Sequence, residues 1–524
     1  MMRVFLSGPM GSGKTTAAQA VAASLGLSAF ELDSEVERDA GKSVRDIFES
    51  EGEAGFRQRE RRVMQQLLSR HEKGVFSLGG GTVTDDALRA ELLSAGLLVT
   101  LDANDAELAR RIGADDARPL LAGQDAEAAL GALRVRRASA YAECHGRVDT
   151  TGSSPEQVAE EVAEVVARRP ILLPLGLRSY RVEVGCGIRS RLAEAVQAGS
   201  AGPATIVVSD DRVGPHWASE ARRMLQAAGR EVVYVELPSG EEHKRLSTVE
   251  RIWNHALDAR VDRGAMVVGI GGGVVGDLSG FAASTLLRGV PVGHLPSTLL
   301  AMVDSAIGGK TGFDTDHGKN LVGSFHQPSF VICDVELLQT LPSAELISGL
   351  AEVAKSAWLA GEGAVCALEQ DASALVRGEP DAIERAVRMA AGLKARIVSQ
   401  DEREGGKRAL LNLGHTVGHA IEASRGFRGI RHGEAVSLGM IAACRIAERL
   451  GAGSARSAAR MQQLLQAFGL PTDVDQWLNS SVVDFLGSDK KRRADRIRFV
   501  VPGEPGDTRL QDISMAQLEA ALQP

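Results

Sequence analysis

Along the first 166 residues, short unbroken apolar runs alternate with longer stretches in which apolar residues recur every three or four positions. The runs Arg3–Leu6, Val75–Leu78 and Leu97–Leu101 predict buried strands. The periodic stretches between them predict helices, which together is the alternation of a parallel α/β sheet. The last of these helices is the best marked. Ser154-Pro155-Glu156-Gln157 offers an N-cap, a first-turn proline and a capping-box glutamine. Val158, Val162, Val165 and Val166 form one apolar stripe, and Arg168-Arg169-Pro170 ends it. Pro170 and Pro174 cannot continue a helix, so a boundary is expected at about 167–175. From Tyr180 the alternation restarts, with strands predicted at Thr205–Ser209, Glu231–Leu237 and Met266–Ile270. Beyond about residue 335 the strand signal gives way to long alanine- and leucine-rich helical segments. The pattern predicts an α/β domain over 1–167, a linker over 168–175, a second α/β domain over 176–334 and an all-helical domain over 335–524.

Composition narrows the class. At 524 residues, two or three domains are expected, and 44% hydrophobic with 24% charged residues is the balance of a soluble globular chain. A net charge of −8 argues against nucleic acid or an anionic membrane as the main partner, but not against small anions bound in a local basic pocket. The five cysteines (Cys144, Cys186, Cys333, Cys366, Cys444) never fall in C-x-x-C spacing. They read as reduced thiols of a cytoplasmic protein. The opening MMRVFLSG is too short for a signal peptide, and no apolar run is long enough to span a membrane.

Gly8-Pro9-Met10-Gly11-Ser12-Gly13-Lys14-Thr15 follows a predicted strand, opens a predicted helix and fits G-x-x-x-x-G-K-[ST] at every fixed position. Such a loop wraps backbone N–H groups round phosphates. Gly11, Ser12, Gly13 and Thr16 belong to the cradle, Lys14 reaches the β/γ oxygens, and Thr15 offers its hydroxyl to Mg²⁺. ATP or GTP binding follows.

Leu32-Asp33-Ser34-Glu35, Gly55-Phe56-Arg57, Ser77-Leu78-Gly79-Gly80-Gly81-Thr82, Ala117-Arg118-Pro119-Leu120-Leu121 and Arg137 before Tyr141 make this half resemble shikimate kinase over nearly its full length. The resemblance implies ATP as phosphoryl donor and the shikimate 3-hydroxyl as acceptor. Arg57 and Arg137 would grip the substrate carboxylate by guanidinium forks, and Gly79, Gly80 and Gly81 would let the backbone approach the ring. Arg118 would neutralise the transferring phosphoryl group, and Asp33 would hold the Mg²⁺ water shell. The sequence departs from the family at Glu35, where an aspartate usually orients the acceptor hydroxyl. The extra methylene can displace a hydrogen bond by about an ångström.

In the second half, Gly271-Gly272-Gly273-Val274-Val275-Gly276 satisfies G-x-G-x-x-G. A Rossmann fingerprint also wants an acid about twenty residues on, and His294-Leu295-Pro296-Ser297 supplies none. Taken whole, Gly269–Asp277 resembles the nucleotide loop of 3-dehydroquinate synthase and of the iron-dependent alcohol dehydrogenases. Pro238-Ser239-Gly240-Glu241-Glu242-His243-Lys244 also matches. Further segments settle the branch: Arg288-Gly289-Val290, Val303–Thr311, Gly318-Lys319-Asn320, Gly349–Lys355, Asn412–His419 and His432-Gly433-Glu434. The resemblance to 3-dehydroquinate synthase covers about residues 175–520.

That resemblance implies NAD bound by Glu241, Lys244, Gly273, Val274, Asp277, Ser297, Thr298, Lys310 and Lys319. It implies a substrate, 3-deoxy-D-arabino-heptulosonate 7-phosphate, held by Arg288, Asp304, Lys310, Asn320, Lys355, Lys394, Arg408, Asn412 and His419. So much positive charge suits a ligand with both a phosphate and a carboxylate. For metal, one glutamate and two histidines with an open position is a catalytic zinc pattern. Spacing alone nominates both His415 and His419, one helical turn apart. The family pattern assigns Zn²⁺ (Co²⁺ can substitute) to Glu352, His415 and His432, with His419 left for phosphate contact and proton handling. Lys310, Lys355 and Asn320 would join His419 in catalysis, and Arg288 would reach a neighbouring subunit's site in a homodimer. Two other readings remain open: a different small-molecule kinase joined to another sugar-phosphate cyclase, or a first half reduced to an ATP-binding regulatory module.

Overall fold

The computed structural model describes residues 2–112, 126–426, 428–487, 492–493 and 496–522. Arg118 and the segment around it lie outside the described residues. The chain divides into two compact units, Met1–Arg181 and Val182–Pro524. The stretch expected as a linker holds a three-residue strand, Ile171–Leu173.

In the first unit five parallel strands lie in the order Ala29–Glu31, Lys73–Ser77, Met2–Ser7, Leu97–Asp102, Gly146–Asp149. Apolar side chains leave both faces of this sheet. One set, including Phe5, Phe76 and Leu98, packs on helices Leu32–Ala40, Val44–Arg70 and Asp86–Ala95. The other, including Val4, Leu6 and Val99, packs on Lys14–Leu25 and Pro155–Arg168. The helix Pro155–Arg168 carries the capping box read from sequence. The Ser154 N–H donates to Gln157 Oε1 at 2.8 Å, the Gln157 N–H donates to Ser154 Oγ at 3.3 Å, and all four valines of the stripe are buried.

The second unit opens on a sheet whose strands run Tyr180–Gly185, Phe330–Asp334, Val292–Pro296, Met266–Gly271, Ala204–Asp210, Glu231–Leu237. The pairs from Phe330–Asp334 to Glu231–Leu237 are parallel. An antiparallel hairpin, Lys310–Thr315 with Gly318–Phe325, forms a two-stranded ribbon separate from this sheet. The sheet ends at Asp334, and helices follow: Ser343–Ala360, Glu362–Val376, Pro380–Gln400, His415–Ser424, His432–Arg449 and Ala455–Ala467. This part is helical but not all-helical. Arg496–Pro502 and Thr508–Ser514 pair antiparallel, because Ile497 and Phe499 alternate inward against Arg496 and Arg498. Among the described residues, no helix is long and apolar enough to cross a membrane.

Candidate active sites

In the first unit, the strand Met2–Ser7 delivers the chain into the loop Gly8–Gly13, and the helix starts at Lys14. Gly8 has φ 137°, and a Cβ there would stand 2.0 Å from the Leu101 carbonyl oxygen, so no other residue fits this turn. Lys14 Nζ donates to the Gly8 and Pro9 carbonyls at 3.1 and 2.8 Å. The loop forms one wall of a cavity of about 840 Å³ that is also lined by Thr15, Glu31, Asp33, Arg57, Gly79–Gly81 and Arg137.

Three carboxylates line it, and two of them, Glu31 and Asp33, lie at the start of one helix; the third is Glu37. Glu31 ends the strand Ala29–Glu31 and accepts from Thr15 Oγ1 at 2.6 Å. Asp33 lies in the first turn of the following helix, beside Gly79, where a Cβ would come within 3.0 Å of its Oδ1. Burial, with the charge of Glu60 second, pushes Asp33 up to about 6, against the pull of Lys14 and Arg57. Asp33 Oδ1 is buried without a hydrogen bond. Glu35, expected here, is not among the lining residues; it faces Arg38, whose Nη1 is 2.5 Å from Glu35 Oε2. Where Asp33 and Glu35 were expected, Glu31 and Asp33 line the cavity, a shift of two positions along the chain. Successive helical residues turn by about 100°, so positions 33 and 35 point away from each other, and only an extended chain would put them on one face.

Arg57 is braced by Glu60, at 2.7 Å, and Glu60 accepts from Thr82 Oγ1 at 2.6 Å. The guanidinium lies so close to Gly81 that a Cβ there would meet Nη2 at 2.0 Å. Arg137 Nη1 donates to the Gly80 carbonyl at 2.8 Å. The sequence reading missed a smaller cavity of about 250 Å³ behind the loop, lined by Ser12, Gly13, Thr16, Arg111, Thr150 and Pro155. Arg111 donates to Thr150 Oγ1 at 3.0 Å and to the Thr150 carbonyl at 2.6 Å.

In the second unit a cavity of about 550 Å³ is lined by Asp277, Asp304, Lys310, Asn320, Lys355, Lys394, Arg408, Asn412, His415, His419 and His432, all foreseen. Its cations are already paired. Lys394 donates to Asp304 Oδ1 at 2.6 Å, Lys355 meets Glu352, and Lys310 meets Glu404, which also accepts from Asn412 at 2.7 Å. Glu404 was not foreseen. Burial pulls Lys394 down to about 8, although Asp304 opposes it. Arg288 is exposed, with φ 71°, and does not line this cavity.

Three helices bring Glu352, His415 and His432 together. Each offers a ligand atom within 4.8 Å of the others. His415 Nε2 and His432 Nε2 lie 3.4 and 3.7 Å from Glu352 Oε1. The helices approach to backbone contact. A Cβ on Gly433 would stand 1.8 Å from the Ser348 carbonyl oxygen, and one on Gly439 the same distance from that of Gly414. The charges suit a cation. Burial, then Lys355, keeps His415 neutral, while Glu352 and Glu422 push His432 up to about 10 against its burial. Both Glu352 oxygens are buried without a hydrogen bond of good geometry. A carboxylate with two imidazoles is a donor set that zinc accepts. His419 is exposed, its ring 5.2 Å from that of His415 and 6.0 Å from that of His432.

Residues expected to hold a dinucleotide lie together at the end of one strand. The strand Met266–Gly271 turns at Gly272 into the helix Gly273–Thr285, whose first turn leaves backbone N–H groups free. Gly272 lies against Thr298, and the nearby Ser297 and Ser305 hydroxyls are buried without a partner. Lys244 binds Asp277 and Asn320, each at 2.6 Å, and Lys319 pairs with Glu241 at 3.3 Å.

Family comparisons agree with this division. The family model described as shikimate kinase matches residues 10–167, and those for the 3-dehydroquinate synthase N-terminal and C-terminal parts match 234–348 and 349–492. A 3-dehydroquinate synthase of Nostoc punctiforme is 41% identical over 338 residues, 64% of this chain and 93% of that protein. Among solved structures, 2-epi-5-epi-valiolone synthase from Streptomyces hygroscopicus, with NAD⁺ and Zn²⁺ bound, is 27% identical, with a TM-score of 0.59. It covers 66% of this chain and 95% of its own. A shikimate kinase from Acinetobacter baumannii in complex with shikimate is 34% identical over 32% of this chain and 94% of its own, with a TM-score of 0.31. The chain belongs to the 3-dehydroquinate synthase family through its second unit and carries, ahead of it, a domain of the shikimate kinase family.

Proposed function

We propose that one chain performs two reactions of the shikimate pathway: ATP-dependent phosphorylation of shikimate, and conversion of 3-deoxy-D-arabino-heptulosonate 7-phosphate to 3-dehydroquinate and phosphate. The observation that carries the reading is the coexistence of two separately built cavities, each lined by its own family's residues.

In the kinase site, Lys14 and the loop amides hold the ATP phosphates, and the smaller cavity beside Arg111 takes the base. Arg57 and Arg137 bind the shikimate carboxylate. Asp33 accepts the proton of the attacking hydroxyl, a task its raised pKa suits. Thr15 and Glu31 would hold Mg²⁺, which would supply positive charge to offset that of the phosphates. This assignment predicts that Asp33→Asn loses at least about a hundredfold in kcat, whereas Glu35→Gln stays within about threefold. Steady-state kinetics with shikimate decides it. Equal losses in the two variants would return the base to position 35.

In the cyclase site, Glu352, His415 and His432 hold the metal. Zinc would lower the pKa of substrate hydroxyls bound to it. NAD, held by Lys244, Asp277 and the N-terminus of helix Gly273–Thr285, would take a hydride and return it. Lys394, Lys355 and Arg408 bind the substrate's anionic groups, Asn412 and Lys310 orient them, and His419 moves a proton as phosphate leaves. We also propose a homodimer in which Arg288 completes the partner's site, supported by its exposure and by its absence from the cavity of its own chain. Mixing equal amounts of Arg288→Ala and Lys310→Ala chains is then expected to recover up to about a quarter of the activity, since half of randomly exchanged dimers are hybrids and each hybrid holds one intact site. No recovery despite measured subunit exchange would reject the shared site. The free thiols fit a reducing compartment, and we place the protein in the cytoplasm, bound to neither nucleic acid nor membrane.

A further inference from the structure

We propose that Glu422 is a positioning residue of the metal centre: it holds the His432 ring at Nδ1, so that Nε2 faces Glu352, and does not itself bind the metal. The inference rests on the metal reading above. Glu422 sits on helix His415–Ser424, 6% exposed, with Oε2 3.5 Å from His432 Nδ1. The other nitrogen of the same ring is 3.7 Å from Glu352 Oε1.

The two nitrogens of an imidazole diverge, so one ion cannot use both. A carboxylate at Nδ1 fixes the proton there and leaves the Nε2 lone pair for the metal. His415 is arranged alike, with Nδ1 3.1 Å from the Leu413 carbonyl oxygen and Nε2 3.4 Å from Glu352 Oε1. Each histidine thus has an outer acceptor and an inner face turned to the same carboxylate. His419, Glu422 and His432 also bring ligand atoms within 4.8 Å of one another, which makes Glu422 as a ligand the competing arrangement.

Glu422→Gln and Glu422→Ala in the full-length chain separate the two. The glutamine oxygen still accepts from Nδ1–H but is a poor zinc ligand. Zinc affinity is measured by competition with a chelator, and ligand geometry by the visible spectrum of the Co²⁺-loaded protein. Glu422→Ala is expected to bind zinc about ten- to a hundredfold more weakly, with Glu422→Gln restoring affinity to within a few fold. At saturating Co²⁺ both variants should show the wild-type absorption bands. Glutamine behaving like alanine, with altered Co²⁺ bands in both, would make Glu422 a ligand and overturn the proposal. Unchanged affinity in both variants would also overturn it. Wild-type protein that takes up no zinc would instead reject the metal reading itself.

Discussion

Lys14→Ala is expected to lower shikimate phosphorylation by about a hundredfold or more and to leave cyclisation within about twofold. Lys14 begins the helix that follows the loop Gly8–Gly13, its ammonium lies 2.8 Å from the Pro9 carbonyl, and it lines the cavity proposed to take the ATP phosphates. Its contribution is charge placed where charge moves, and alanine leaves none. The fold should not suffer, because alanine is the best helix former and the lysine is not part of the apolar core. Both activities are measured on the same purified variant. A cyclisation rate that falls with the phosphorylation rate would mean that the units are coupled, against their separate cores and cavities.

The second large effect separates two histidines that sequence spacing cannot. His432→Ala is expected to purify with little zinc and little cyclase activity, partly recovered by excess metal, since it removes one of the three proposed protein ligands. His419→Ala should keep near-stoichiometric zinc and bound NAD but turn over at least about a hundredfold more slowly. The geometry behind this is the convergence of His415 and His432 on Glu352 Oε1 at 3.4 and 3.7 Å, while His419 stands exposed beside them. Elemental analysis of the two proteins gives the answer. Zinc lost from His419→Ala and kept in His432→Ala would reverse the ligand set. Both variants should phosphorylate shikimate normally.

What the sequence made legible were features written in local spacing. The capping box at Ser154 and Gln157 and the valine stripe behind it are four-residue patterns, and the chain folds them as expected. The phosphate loop is equally local. The cyclase cavity was legible for another reason, since its polar residues sit in long motifs matched as blocks. The failures share a cause too. Whether Asp33 pairs with Glu31 or Glu35 depends on where the strand Ala29–Glu31 becomes a helix, and a one-position difference there turns a side chain out of the cavity. Arg111 and Thr150 are 39 residues apart, and nothing in either neighbourhood announces that they meet. Glu404 escaped because its partners, Lys310 and Asn412, come from other elements. The strand Arg496–Pro502 does alternate, but over too few residues to stand out against the long helices before it.

The glycine contacts between the helices that carry Glu352, His415 and His432 divide the cyclase site into a part that can be redesigned and a part that cannot. Where Gly433 meets Ser348 and Gly439 meets Gly414, a methyl group would fall on a backbone oxygen, and no neighbouring side chain can be trimmed to make room. An engineer seeking a cyclase for a different sugar phosphate should leave those helices untouched. The residues to vary lie on the hairpin Lys310–Phe325 and around Glu404 and Arg408, whose side chains line the cavity from elements other than the helices of Glu352, His415 and His432. Libraries confined to those segments would change shape and charge at one end of the substrate while the metal end stays fixed.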